Sequence, residues 1–160
     1  MIAPVLLIGL ILRLVSLDQS LWLDEGINAT FARSLSYSKL IFSYPLGDFH
    51  PPLYHVILKS FISLFGSSEI SLRIPSVILG VMTVFITYLI GKKLYDKKTG
   101  VIAALLIATG PLHIYYSQEA RMYMLAAFLA SLSVYFFVSL LIIDRLLLWV
   151  FFILSTAFML

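Results

Sequence analysis

The sequence predicts an all-α fold: a polytopic bundle of membrane helices, with amphipathic surface helices in the first loop outside the membrane. Hydrophobic residues make up 61% of the chain and charged residues 12%, against roughly 25% charged residues in an average soluble domain. Mean hydropathy is +1.03. The apolar residues fall in runs of near membrane-crossing length, with the polar residues gathered between them. At about 20 residues per crossing, the 160 residues hold four or five membrane helices.

Membrane helices are predicted over 2–17, 69–91, 100–116, 121–143 and 146–160, with interfacial helices in an outer loop over 22–66. The first run has no basic n-region and no A-x-A-like cleavage site, so it reads as a retained helix rather than a signal peptide. Within the outer loop, Ile27, Phe31, Leu35 and Leu40 recur at helical spacing among Glu25, Asn28, Thr30, Arg33 and Ser34. That pattern predicts a short amphipathic helix over 23–40, lying on the membrane surface.

The run 52–65 is apolar but short. Its 14 positions reach about 21 Å as a helix, against a hydrocarbon core of about 30 Å. It carries His55, Lys59, Ser60 and Ser63 and opens on Pro51-Pro52, so it reads as interfacial or re-entrant rather than as a crossing. Trp22, Tyr37, Phe42, Tyr44 and Tyr54 are aromatic residues of the kind that settle at headgroup level. The last run, 146–160, meets no cap, loop or charged flank. It reads as cut within a helix of a longer transmembrane domain whose C-terminal remainder is missing, and the piece alone is expected to be inactive.

The net charge of +3 comes mainly from Lys92, Lys93, Lys97 and Lys98 in one short loop. Such a loop is an orientation signal and not a nucleic-acid patch. If 52–65 does not cross, these lysines and the Asp144-Arg145 turn lie in the cytoplasm. The polar segments 18–48 and 115–121 then share the outer side. The chain has no cysteine, which excludes disulfides, thiolate metal sites and cysteine nucleophiles.

Three groups of residues could carry chemistry. Asp24-Glu25 follows Leu21-Trp22-Leu23 directly. Such acids either cap a helix N-terminus, a contribution of about 0.3–1 kcal/mol, or supply a general base beside the low-dielectric interface. Asp48, His50 and Tyr54 surround the Pro51-Pro52 turn, where His50 is either solvated or available to a phosphate or metal. Gln118, Glu119 and Arg121 sit between apolar residues at the mouth of a long helix, and polar groups so close to hydrocarbon are costly unless used or buried in protein. His55 and His113 read as facing polar neighbours. Arg13 reads as snorkelling to the interface, and Asn28-Ala29-Thr30 matches a glycosylation pattern of low specificity.

Four blocks taken together resemble one family. They are Leu12-Arg13-Leu14 with Ser20-Leu21-Trp22-Leu23-Asp24-Glu25; His50-Pro51-Pro52-Leu53-Tyr54; Leu72-Arg73-Ile74-Pro75-Ser76; and Tyr116-Ser117-Gln118-Glu119-Ala120-Arg121-Met122-Tyr123. In order and spacing they are similar to the GT-C membrane glycosyltransferases, in the group of protein O-mannosyltransferases and lipid A aminoarabinose transferases. The resemblance implies a GT-C-like helix bundle in a prokaryotic cell membrane and a polyprenyl-phosphate-linked sugar as donor. It also implies an acceptor hydroxyl on protein, lipid or glycan, inversion at the anomeric carbon, and an extracytoplasmic reaction centre.

The family's catalytic aspartate maps onto Asp24, with Glu25 beside it, and its second acidic position onto the Gln118-Glu119 stretch. Where aminoarabinose transferases carry an acidic-basic pair before the proline, this chain has His50. On this reading Asp24 takes the proton of the acceptor hydroxyl, and Arg121 and His50 receive the departing phosphate. Glu25 and Glu119 position Asp24 or bind sugar hydroxyls, and Tyr54 belongs to the substrate-binding set. A divalent metal is compatible with these groups, and no other cofactor is called for. The competing class is a transporter or flippase-like subunit handling prenyl-linked substrates, which would place its polar groups near the midplane in repeated halves.

Overall fold

The computed structural model describes residues 2–43 and 52–159, and among these every regular element is a helix. α1 (Ile2–Leu14) buries only Val5, Gly9 and Arg13. Spaced four apart, they stack on one face, while Leu7, Ile8 and Ile11 stay exposed. An apolar helix with so narrow a buried stripe suits a hydrocarbon surround. The helix stops short of the predicted residue 17, and Ser16 takes a left-handed backbone with φ 59°.

One helix is predicted over 23–40, but the structure has two, α2 (Leu23–Ser34) and α3 (Tyr37–Phe42). The division falls at Ser36, whose hydroxyl accepts the Lys39 N–H at 3.3 Å and caps a new helix. α4 (Leu53–Phe65) ends at Gly66, where φ is 79°, a conformation that glycine adopts without steric cost. Its 13 residues span about 20 Å, too little to cross a bilayer.

α5 (Glu69–Leu94) is the central helix. It packs against α1, α4, α6 (Lys97–Thr109), α7 (Pro111–Ser117) and α8 (Tyr123–Leu140), while α9 (Leu146–Ala157) packs on α8. At the lysine end α5 and α6 meet backbone to backbone. A Cβ on Gly91 would lie 2.8 Å from Gly100 Cα, and one on Gly100 would lie 2.6 Å from the Tyr88 carbonyl oxygen.

A single helix is predicted over 100–116, and here the structure differs again. The helix breaks at Gly110, and α6 and α7 meet at 62°. Pro111 has no N–H to continue the ladder, and its ring keeps the preceding residue extended, with φ −63° and ψ 118° at Gly110. By length and apolarity α5 and α8 can each cross a membrane, and the bent α6–α7 pair makes a third span if counted as one. The predicted crossings 2–17 and 146–160 contain helices of 13 and 12 residues, about 20 and 18 Å long.

Two buried clusters hold the bundle. Val5, Val84, Tyr88, Ala104 and Ala108 join α1, α5 and α6. Ala29, Ala32, Tyr54, Leu58, Leu72, Ala120, Leu125 and Leu129 join α2, α4, α5 and α8 near the N-terminus of α5. The second cluster is the floor on which the polar residues assemble.

Candidate active site

Glu25 lies in the first turn of α2 and is completely buried. Arg73, on the second turn of α5, grips it with two bonds: Nε donates to Oε1 at 2.9 Å and Nη2 to Oε2 at 2.6 Å. The Ala120 N–H donates to Oε1 at 2.7 Å and the Trp22 N–H to Oε2 at 3.4 Å. The other donors of Arg73 reach the carbonyls of Leu17 at 2.9 Å, Gln19 at 2.7 Å and Ser20 at 3.4 Å. All five guanidinium hydrogens are thus engaged.

Asp24, one residue earlier, turns the other way. Its side chain is 37% exposed, and its Oδ2 lies 2.5 Å from Nη1 of Arg121. Arg121 lies over the Trp22 and Tyr123 rings, 5.8 and 5.4 Å from their centroids, and its Nη2 donates to the Tyr123 hydroxyl at 3.3 Å. Its Nε is buried with no hydrogen-bond partner among the described residues, and so is Oε2 of Glu119. Burial holds the Glu119 carboxyl above the usual carboxylate range. The charge of Glu25 adds to this rise, while the Tyr115 hydroxyl and the guanidiniums of Arg121 and Arg73 oppose it.

The structure therefore brings Asp24, Glu25, Glu119 and Arg121 together, and two other predicted residues serve as supports. Gln118 Nε2 donates to the carbonyls of Val15 at 2.7 Å, Leu12 at 3.3 Å and Arg13 at 3.5 Å, closing the C-terminus of α1. Tyr54 is fully buried, and its hydroxyl meets Ser76 Oγ at 3.3 Å. The Ser76 hydroxyl also lies 3.4 Å from the Arg121 carbonyl. His50 and Asp48 lie outside the described residues.

Arg13 does not snorkel. It is fully buried and donates to the carbonyls of Gly9 at 2.7 Å, Ala108 at 3.0 Å and Ile107 at 3.3 Å, and to Ser117 Oγ at 3.1 Å. Its Nη2 lies 2.7 Å from His113 Nδ1, which acts as the acceptor. The break at Gly110 explains this: the last carbonyls of α6 lose their helical partners, and in an apolar surround they require another donor. Asn28 is buried too, with its Nδ2 donating to the Ala120 carbonyl at 3.2 Å, so that nitrogen is not offered for glycosylation.

Sequence reasoning gave Arg73 no role of its own. Its signal was an arginine inside an apolar run, expensive unless paired within protein. Among the described residues no group of three or more His, Asp or Glu side chains gathers to hold a metal. The candidate site lies at the N-terminal end of α5, and Lys92 and Lys93 occupy its last turn, about 29 Å along the helix axis from Arg73.

A family model described as dolichyl-phosphate-mannose-protein mannosyltransferase matches residues 49–160, well over half of the chain. The matched stretch contains Tyr54, Arg73, Gln118, Glu119 and Arg121 and begins after Asp24 and Glu25. No curated protein and no solved structure matches. With the all-helical bundle and its apolar spans, the match shows that the chain belongs to the dolichyl-phosphate-mannose-protein mannosyltransferase family, membrane glycosyltransferases of the GT-C type.

Proposed function

We propose that the protein transfers a sugar from a polyprenyl-phosphate-linked donor to an acceptor hydroxyl, on protein in keeping with the family, at the rim formed by Asp24, Glu119 and Arg121. The observation that carries this reading is the Asp24–Arg121 pair at 2.5 Å, whose carboxylate is open to solvent while its guanidinium is almost enclosed. A base and an anion receptor thus stand side by side.

In the reaction the acceptor oxygen attacks the anomeric carbon as the bond from that carbon to the phosphate oxygen breaks. A single displacement of this kind inverts the anomeric centre. The hydroxyl proton passes to Asp24, and Arg121 receives the charge that develops on the leaving phosphate, the kind of stabilisation that is often the largest catalytic term. The donor phosphate competes with Asp24 for Arg121. Its arrival frees Oδ2 to accept the hydrogen bond of the acceptor hydroxyl, so the base is released only when the donor is present.

Glu25 has no oxygen to spare and acts by fixing the first turn of α2. The buried, unpartnered Oε2 of Glu119 suits a sugar hydroxyl as donor. His50 remains the second candidate for the phosphate. The lysine loop at the far end of α5 favours the cytoplasm by the positive-inside rule, which puts the rim on the extracytoplasmic face of the cell membrane.

The test is transfer by the intact protein in vesicles supplied with a radiolabelled polyprenyl-phosphate sugar. Label should leave the lipid with wild-type protein and stay on it with Asp24→Asn, although the variant inserts normally. Wild-type turnover by Asp24→Asn would refute the assignment of the base. Label that crosses the membrane still attached to its lipid would identify a carrier instead.

A further inference from the structure

We propose that Asn28, oriented by His55, is a positioning residue for the transfer reaction, acting through the backbone of Ala120 on Glu119 and Arg121. The inference rests on the reading of Asp24, Glu119 and Arg121 as the reacting rim.

Glu25 and Asn28 are three residues apart on α2 and therefore lie on one face of the helix. Between them they hold Ala120 from both sides. Glu25 Oε1 accepts the Ala120 N–H at 2.7 Å, and Asn28 Nδ2 donates to the Ala120 carbonyl at 3.2 Å. Ala120 is itself completely buried. The two peptide groups held in this way flank it, and the side chains on either side are Glu119 and Arg121. The Asp24 that pairs with Arg121 is on the same helix as Asn28, so α2 fixes both halves of the rim relative to each other.

The amide of Asn28 has one orientation that serves these contacts. Only Nδ2 can donate to a carbonyl, which leaves Oδ1 facing His55 Nε2 at 3.2 Å. Nε2 must therefore carry the proton. Asn28 is 7% exposed and His55 2%, among Ala29, Ala32, Tyr54 and Leu58. Leucine at position 28 would fill this space but take the amide from the Ala120 carbonyl and from His55 Nε2, so the pair serves a buried carbonyl as well as filling volume. What an amide adds over leucine is direction: a fixed donor aimed at one carbonyl.

The test uses the intact protein in vesicles, with unfolding midpoints measured alongside transfer. Asn28→Leu should lower kcat by about tenfold or more with the donor KM within about threefold, the signature of a displaced reacting group. His55→Gln, which keeps an N–H at this position, should retain most of the activity that His55→Leu loses. In an Arg121→Ala background the Asn28→Leu penalty should shrink to about threefold or less, because the group it positions is gone.

A purely structural role would lower the unfolding midpoint and give the same penalty in both backgrounds, and that result would overturn the proposal. So would equal activity of His55→Gln and His55→Leu, a comparison that decides the matter if Asn28→Leu fails to accumulate. If wild-type protein releases no label, or Asp24→Asn turns over normally, the reading of the site falls and this inference with it. With those controls as expected, a full-rate Asn28→Leu removes the inference alone.

Discussion

Arg73→Met takes five hydrogen-bond donors out of a buried site and leaves their acceptors in place. Glu25 keeps the backbone N–H groups of Ala120 and Trp22 but loses both guanidinium contacts at 2.9 and 2.6 Å. A carboxylate stranded in this way costs about 3–5 kcal/mol, far more than the intact pair contributes against an apolar replacement. The carbonyls of the exposed Gln19 and Ser20 add less, because water can replace the lost donor there, whereas the carbonyl of the buried Leu17 is left without one.

The expected loss for the single variant is therefore about 3–5 kcal/mol, read as unfolding free energy of the intact protein in mixed micelles. Glu25→Met combined with Arg73→Met should cost clearly less than the sum of the two singles, since no charge is then left unpaired. Asp24→Asn is the control. With Asp24 more than one-third exposed, its pair with Arg121 should be worth about 0–1 kcal/mol to folding. A loss below about 1 kcal/mol for Arg73→Met, or strict additivity in the double variant, would refute the account of this site as a buried, mutually dependent pair.

Two further outcomes follow from local geometry. Glu119 has its carboxyl raised above 4.5 in the folded state, chiefly by burial. Its bound proton therefore stabilises the fold fully below that value, and the contribution is lost as pH rises through the raised folded value. Glu119→Gln should gain on wild type as pH rises above the ordinary carboxylate range, and a stability difference that does not change with rising pH would contradict the assignment. Gly91→Ala places a methyl 2.8 Å from Gly100 Cα, where neither backbone can yield. It should destabilise the α5–α6 contact by about 1–3 kcal/mol, and an unchanged unfolding midpoint would show that the helices can part at no cost.

The helices long enough to cross, α5 and α8, were plain in the sequence because hydrocarbon demands long apolar runs, and that demand needs no partner to be visible. Proline and serine boundaries were legible in kind but underweighted: Pro111 and Ser36 each divide what hydropathy alone reads as one helix. Counting crossings places residue 24 on one side of the membrane with residues 119 and 121, and in the structure Asp24 Oδ2 lies 2.5 Å from Arg121 Nη1. The roles within the pair Asp24-Glu25 could not be read. Adjacent residues in a first helical turn point in different directions, and which one meets Arg73 depends on how α2 is rotated against α5. That rotation is set by Ala29, Ala32 and Leu72 in the buried cluster, long-range packing with no local signature. Asn28 was read as surface for the same reason.

The two buried arginines address one problem, and together they explain why the site stands where it does. An irregular backbone exposes carbonyls that hydrocarbon cannot satisfy. Arginine offers five donors and no acceptor, so one side chain can serve a whole broken turn. Arg13 serves the break between α6 and α7 through Ala108 and Ile107. Arg73 serves the turn between α1 and α2 through Leu17, Gln19 and Ser20. The partners of Arg13 are uncharged, whereas Arg73 is neutralised by Glu25, and that carboxylate in turn holds Ala120. Regular helices could not aim Asp24 and Arg121 at each other, because one opens α2 and the other lies in the stretch between α7 and α8. The reacting pair needs irregular chain on both sides, and the arginines are what let that chain exist at the end of an apolar bundle.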